Sequence, residues 1–172
     1  MSNSVKAGSW FPRFLPAYTL SGGSPAVTHC VVAASQTLYR GEPVTRAYTT
    51  GAITLASTSS TAIYGIVCEN VITTAADEGT IVEVWVADND TVFVGQCDAA
   101  STTGYPTLLC DMVSSGSGTT KKWLVDIGTT TRSIFTIIAW VPGDLKSDAT
   151  DCGRVYFIIS KSQYLQRTSS QI

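Results

Sequence analysis

The stretch from Thr80 to Cys97, TIVEVWVADNDTVFVGQC, constrains the fold more than any other part of the chain. Two short apolar runs flank the turn-like sequence Asp88-Asn89-Asp90, and this arrangement predicts a β-hairpin. Because side chains alternate between the two faces of a strand, the valines of both runs share one face. The other face carries Ile81, Glu83, Trp85, Phe93 and Cys97. Since both faces are apolar, both must be covered, one by the domain's own core and the other by further strands, the N-terminal segment or another subunit.

The composition favours an all-β protein with few charges. The chain has 172 residues, enough for one domain with a substantial core, and 43 of them are Ser or Thr. Charged residues make up only 14%, against about 25% in ordinary soluble proteins. The net charge of −2 gives no electrostatic reason to expect nucleic acid or an anionic membrane as a partner.

No apolar run reaches the length of a membrane-spanning helix, and the N-terminus lacks a secretory signal, so we expect synthesis in the cytosol.

Short apolar runs recur from His29 onward, separated by Gly, Pro, Ser and Asp. They predict an all-β fold, a β-barrel or sandwich of short strands, over residues 29–161. The Ser- and Gly-rich residues 114–120 predict a flexible hairpin loop, although a division between two subdomains is the alternative. Residues 162–172 form a polar C-terminal tail. The predicted strands lie at 29–34, 38–44, 52–56, 62–72, 81–87, 91–97, 107–113, 121–127, 132–141 and 153–160, of which 107–113 also suits a helical turn.

Residues 1–28 differ from the rest of the chain, because they combine three prolines and a Gly-Gly pair with several aromatic residues. Proline favours an extended or irregular backbone. A disordered tail is one interpretation, but such tails usually lack aromatic residues. We therefore predict an extended N-terminal arm that docks on a partner. Its predicted anchors are Trp10, Phe11, Phe14 and Tyr18.

No catalytic or metal-binding pattern stands out. His29 and Cys30 are adjacent, so in a strand they point to opposite faces and cannot form a nucleophile pair with each other. The five cysteines contain no CxxC spacing, which favours buried reduced thiols over a disulfide framework or a zinc site. Asp88-Asn89-Asp90 continues directly into a strand, so it is better explained as a turn than as a calcium loop. We expect no enzymatic activity, no cofactor and no metal.

Residues 36–97 present a series of short segments in a fixed order: LYRGEPV (38–44), AITLA (52–56), AIYGIV (62–67), AADEG (75–79), IVEVWV (81–86) and VFVG (92–95). This order resembles that of the small capsid decoration (cement) proteins of tailed phages. The resemblance covers roughly a third of the chain and leaves the N-terminal arm and residues 114–172 unmatched.

The resemblance implies a β-barrel on the exterior of an icosahedral virion capsid, made in the host cytoplasm and often trimeric. Such a protein binds the major capsid protein through its arm and barrel rim, and it stabilises the shell against the pressure of packaged DNA. Trp85 and Phe93 are the predicted subunit contact, with a place in the core as their alternative. Two other functions remain open: a tail, fibre or head-fibre component, and a glycan-binding β-sandwich in which Trp123 or Trp140 stacks on sugars.

Overall fold

A computed structural model describes residues 13–77, 79–99, 107–144 and 153–166. Nearly all of its regular structure is β-strand, which confirms the all-β prediction. The strands are β1 (Leu15–Thr19), β2 (Val27–Val31), β3 (Thr37–Leu38), β4 (Pro43–Arg46), β5 (Ile53–Leu55), β6 (Gly65–Val67), β7 (Val71–Ile72), β8 (Ile81–Val86), β9 (Thr91–Gln96), β10 (Leu109–Ser115), β11 (Lys122–Asp126), β12 (Phe135–Trp140) and β13 (Arg154–Ile159). One short helix, α1 (Gln163–Gln166), follows them.

The strands form three antiparallel sheets that pack together as a sandwich. The five-stranded sheet has the order β2-β8-β6-β4-β5, and the six-stranded sheet has the order β1-β9-β13-β12-β10-β11. Strands β3 and β7 form a small third sheet. The predicted single strand at 62–72 is therefore divided between two sheets, because β6 belongs to the five-stranded sheet and β7 to the small one.

Each large sheet curls, so that the strand at one end of its order comes to lie beside a strand at or near the other end. Cys97, directly after β9, makes a parallel bridge with Val125 of β11, and the amide of Asp98 donates to the Val125 carbonyl at 3.0 Å. In the same way Val32, directly after β2, makes a parallel bridge with Ile53 of β5. The curl thus protects strand edges that would otherwise present unpaired backbone groups.

The predicted hairpin at 80–97 is wrong in its pairing, although its strands and its turn are present. Strand β8 pairs with β2 and β6, whereas β9 pairs with β1 and β13. The turn is held by Asp88, whose Oδ1 accepts from the amides of Asp90 (3.1 Å) and Thr91 (2.8 Å). The chain therefore passes from one sheet to the other at this turn instead of folding back on itself.

This crossing explains why the stretch is apolar on both faces. The β8 valines face a core enclosed by the five-stranded sheet, together with Leu38, Ile53 and Tyr64. Phe93 of β9 lies in a second core between the two large sheets, and Trp85 packs at the border of that core. Besides Phe93, the largest fully buried side chains of this second core are Phe14, Trp123, Phe135, Phe157, Ile63, Ile66, Ile134, Ile137 and Ile159.

The segments predicted as a loop and a tail are partly ordered structure. Strand β10 extends to Ser115, and a single 3-10 turn at Gly118–Thr120 leads into β11, so residues 114–120 close a hairpin. Ser162 is buried and its hydroxyl donates to the carbonyl of Ala87. The folded unit therefore continues at least through α1, and residues 167–172 lie outside the described residues.

Candidate binding surfaces

The N-terminal segment enters the fold as a strand of the six-stranded sheet. Strand β1 pairs with the first residues of β9. At the other end of β9, the Cys97–Val125 bridge brings β11 to the same side of the strand. Phe14, directly before β1, is fully buried. Its ring makes edge-on contacts with Phe135 (5.3 Å between centroids) and Phe157 (5.2 Å). Residues 13–28, expected to belong to the arm, thus contribute to both the sheet and the core.

Two glycines leave the space into which Arg13 and Phe14 fit. A Cβ atom at Gly95 would lie 2.7 Å from Cδ1 of Phe14, closer than carbon atoms approach each other. A Cβ at Gly41 would lie 2.8 Å from both Cβ of Arg13 and the Phe14 carbonyl oxygen, and Gly41 also has a φ of 86° that favours glycine. The amide of Phe14 donates to the Gly41 carbonyl at 3.0 Å. Arg13 and Phe14 therefore occupy a closely fitting slot.

A buried ionic cluster holds the same segment to β11. Glu42 is 1% exposed, and its Oε1 lies 3.8 Å from Nε of Arg13 and accepts from Nε1 of Trp123 at 3.4 Å. Its Oε2 accepts from the amide of Tyr39 at 2.9 Å. The Arg13 guanidinium also lies over the Tyr39 ring and donates from Nη2 to the Thr119 carbonyl at 3.2 Å. Because a buried charge is costly without partners, these contacts fix Arg13 and Glu42 in one arrangement.

The predicted anchors have different surroundings. Trp10 and Phe11 lie outside the described residues. Phe14 fills the core of its own subunit, where it cannot contact a shell. Tyr18 is 41% exposed and packs edge-on against Tyr156 at 5.5 Å, so of the two described anchors it is the one open to a partner.

The outer face of the six-stranded sheet carries a set of half-buried and exposed apolar side chains. Its side chains alternate with the buried phenylalanines of β9, β12 and β13. Two rows across the sheet contain no charged residue, whereas the next pair on the same face, Gln96 and Arg154, includes one. One row, read from the strand pairing, is Leu15, Val94, Tyr156 and Ala139, and the other is Ile158, Thr136 and Leu109.

The outer face of β2 and β8 is mixed: it exposes apolar side chains around a polar pair. Strand pairing places Val27 beside Trp85, His29 beside Glu83 and Val31 beside Ile81. Both members of the central pair are exposed, with His29 Nε2 3.5 Å from Glu83 Oε1. Trp85, predicted to contact another subunit, is half-buried beneath the guanidinium of Arg40, 5.6 Å from the ring centroid. Phe93, predicted with it, is fully buried in the core.

The side chains that could carry chemistry are dispersed. His29 is exposed on one face of β2, whereas Cys30 is buried on the other, as the strand alternation predicts. Burial raises the pKa of the Cys68 and Cys110 thiols to about 12, so both stay protonated at neutral pH. Across 13–77, 79–99, 107–144 and 153–166, no three His, Cys, Asp or Glu side chains come close enough to hold a metal ion.

The tryptophans named as sugar-stacking candidates both pack against the core. Trp123 is 1% exposed and points into the core. Trp140 is half-buried and packs against the same core. Cys30, Cys68 and Cys110 are free thiols, and Cys152 lies outside the described residues.

No protein-family model, curated protein or solved structure matches the chain. In the part of the chain that the structure describes, no helix has the length and apolar character needed to cross a membrane. The fold and its surfaces are therefore the basis for a functional proposal.

Proposed function

We propose that the chain is a structural virion protein, a decoration (cement) protein that binds the outside of an icosahedral phage head and stabilises it. The observation that carries this proposal is the outer face of the six-stranded sheet, where uncharged side chains form two rows beside the Gln96–Arg154 pair. The inner face of the same sheet fills the core. Tyr18 and Leu109 on that outer face are 41% and 45% exposed.

A surface of this kind suits permanent contact with a protein lattice. Burying apolar area stabilises a contact by about 25 cal/mol per Å², and stable protein interfaces cover about 800 Å² on each partner. Few charges must lose their hydration when such a face is covered, because the rows contain none. The proposed partner is the major capsid protein, and a homotrimer is the proposed state of the subunit on the shell.

The sequence resemblance supports the same function. Residues 36–97, which resemble the decoration proteins, correspond to β3 through β9 and thus to most of the five-stranded sheet. Trp10 and Phe11 directly precede the slot that holds Arg13 and Phe14. We therefore assign residues 1–12 and the outer face of the six-stranded sheet to the shell contact, with Trp85 at a contact between subunits.

The test is co-sedimentation with expanded, empty phage heads. The full chain should bind with saturation. Tyr18→Asp, which places a charge on the outer face, should weaken binding at least about ten-fold, because an unpaired charge must lose its hydration. The matched control is Ile72→Asp, since Ile72 is 69% exposed on β7 and lies on neither large sheet. A chain lacking residues 1–12 should also bind weakly.

The outcomes separate the parts of the proposal. Equal loss of binding in Tyr18→Asp and Ile72→Asp would remove the outer face from the contact. Full binding by the chain lacking residues 1–12 would remove Trp10 and Phe11 as anchors. Absence of binding to heads by the full chain would overturn the decoration function, and binding to purified tails instead would assign the chain to a tail or fibre.

A further inference from the structure

The outer face of β2 and β8 is an exposed surface of the five-stranded sheet, separate from the outer face of the six-stranded sheet. Its three cross-strand pairs are Val31–Ile81, His29–Glu83 and Val27–Trp85. The aliphatic members, Val27, Val31 and Ile81, are between 42% and 60% exposed. Covering such side chains is favourable by about 25 cal/mol for each Å² of apolar area.

The polar pair at the centre of this face indicates what kind of partner fits it. Nε2 of His29 lies 3.5 Å from Oε1 of Glu83, and both side chains are exposed. A partner that covers this pair must place a donor opposite the Glu83 carboxylate and a polar group opposite the His29 ring, because polar groups that lose water without a partner cost free energy. A second copy of the chain carries both groups, at the same spacing and between the same apolar neighbours.

The charges also select how the second copy is oriented. A two-fold axis that runs between β2 and β8, parallel to both strands, places His29 opposite the partner's Glu83. The same axis places Val31 opposite the partner's Ile81, so that aliphatic side chains meet. A two-fold axis perpendicular to the strands would instead bring the two Glu83 carboxylates together, and like charges at a contact are unfavourable.

We propose that the outer face of β2 and β8 binds the same face of a second copy of this chain, with each His29 opposite the partner's Glu83. Trp85, whose ring lies beneath the Arg40 guanidinium, forms the border of this contact. The contact does not rest on the proposed shell binding, because it uses the five-stranded sheet. Since it is two-fold, it is additional to the proposed trimer.

The size of the face sets the expected strength. Its three pairs supply six side chains from each copy, whereas a stable interface uses about 20–30 residues on each side. We therefore expect a weak dimer in solution, with a Kd of about 0.1–1 mM. Copies held side by side on a shell would associate more readily, because the effective concentration of linked groups reaches the millimolar range; this last step alone rests on the proposed function.

The test is sedimentation equilibrium of the full chain under reducing conditions, from about 10 μM to about 2 mM, with ¹⁵N NMR spectra over the same range. The average mass should rise toward about twice its value at the lowest concentration. The amide signals of residues 27–31 and 81–85 should shift as the mass rises, which locates the contact on β2 and β8.

Variants test the apolar and the polar part of the contact separately. Ile81→Asp should weaken association at least about ten-fold, because an unpaired charge must lose its hydration. Ile72→Asp is the matched control, since Ile72 is exposed on β7 and lies outside this face, and it should have no effect. His29→Glu should weaken association about five-fold or more, because it sets a second carboxylate against the partner's Glu83. Adding Glu83→Lys to His29→Glu restores opposite charges across the contact and should recover association.

Four results would overturn the proposal. A constant mass up to about 2 mM would exclude self-association. Concentration-dependent shifts confined to the six-stranded sheet would move the contact to the other face. Equal loss in Ile81→Asp and Ile72→Asp would remove the β2–β8 face from the contact. No recovery in the charge-swapped chain would reject the pairing of His29 with the partner's Glu83. Because all these measurements use the free chain, their failure is distinguishable from failure to sediment with phage heads.

Discussion

Phe14 should contribute more to stability than any other side chain of the N-terminal segment, and Phe14→Ala tests this. The ring is fully buried and contacts Phe135 and Phe157. Burial of a phenylalanine removes about 150–250 Å² from water, which at about 25 cal/mol per Å² corresponds to about 4–6 kcal/mol. Measured losses for Phe→Ala in packed cores are about 3–5 kcal/mol, so we expect a loss of about 4 kcal/mol.

The assay is urea and thermal unfolding followed by circular dichroism. For a chain of this length a loss of 1 kcal/mol lowers the melting temperature by about 2–4 °C. Phe14→Ala should therefore melt about 8–16 °C below the wild type. The matched control is Leu20→Ala, because Leu20 lies in the same segment but is 57% exposed, and it should change the stability by less than about 0.5 kcal/mol.

A loss below about 1 kcal/mol for Phe14→Ala would refute the reasoning. Residues 13–19 would then rest on the surface of a domain that is stable without them, as expected for a detachable arm. A large loss in both variants would instead indicate that the whole segment acts through the unfolded state or through chain connectivity.

Two further predictions concern the packing around the slot and one buried thiol. Gly95→Ala should lower the free energy of unfolding by about 1–3 kcal/mol, because the new methyl group overlaps the Phe14 ring. In the Phe14→Leu background this loss should be smaller. Additive losses in a double-mutant cycle would contradict the contact. Burial, reinforced by the charge of Asp111, raises the pKa of Cys110 from 9.0 to about 12, so its contribution to stability is complete below pH 9 and is lost between pH 9 and 12. Relative to Cys110→Val, the wild type should therefore lose about 1.4 kcal/mol between pH 8 and pH 10 in urea unfolding, and parallel pH profiles would contradict the shift.

Local features of the fold were predictable from the sequence because they depend on nearby residues. Alternating and apolar runs located most strands, and Asp88 identified the turn between β8 and β9 through its ability to bind neighbouring amides. The expectation that both faces of the stretch at 80–97 are covered holds only in part. Phe93 and Trp85 pack against the core between the large sheets, whereas Ile81 is 60% exposed and Glu83 is exposed beside it.

Pairing between strands was not predictable in the same way. A short turn between two apolar runs usually forms a hairpin, and nothing within residues 80–97 indicates that β8 and β9 pair with distant strands instead. The position of Phe14 was hidden for a related reason. Its burial depends on Gly41 and Gly95, which lie 27 and 81 positions away and resemble ordinary turn or strand glycines.

The binding surfaces were only partly predictable. The composition predicted an apolar surface that binds a partner. The row formed by Leu15, Val94 and Tyr156, however, depends on the strand register of the assembled sheet. The contact between the β4–β5 hairpin and α1, made by the Arg46 amide and Gln163, joins two elements separated by more than a hundred residues, so it could not be read from either segment alone.

The slot at Gly41 and Gly95 also has a mechanical consequence. A pull on residues 1–12 reaches Phe14 within two residues, and there it meets a buried ring, a backbone hydrogen bond and the Arg13–Glu42 contact. Arg13 and Phe14 therefore form a rigid attachment point, and load applied to the chain before them passes directly into the packed phenylalanines of the sandwich.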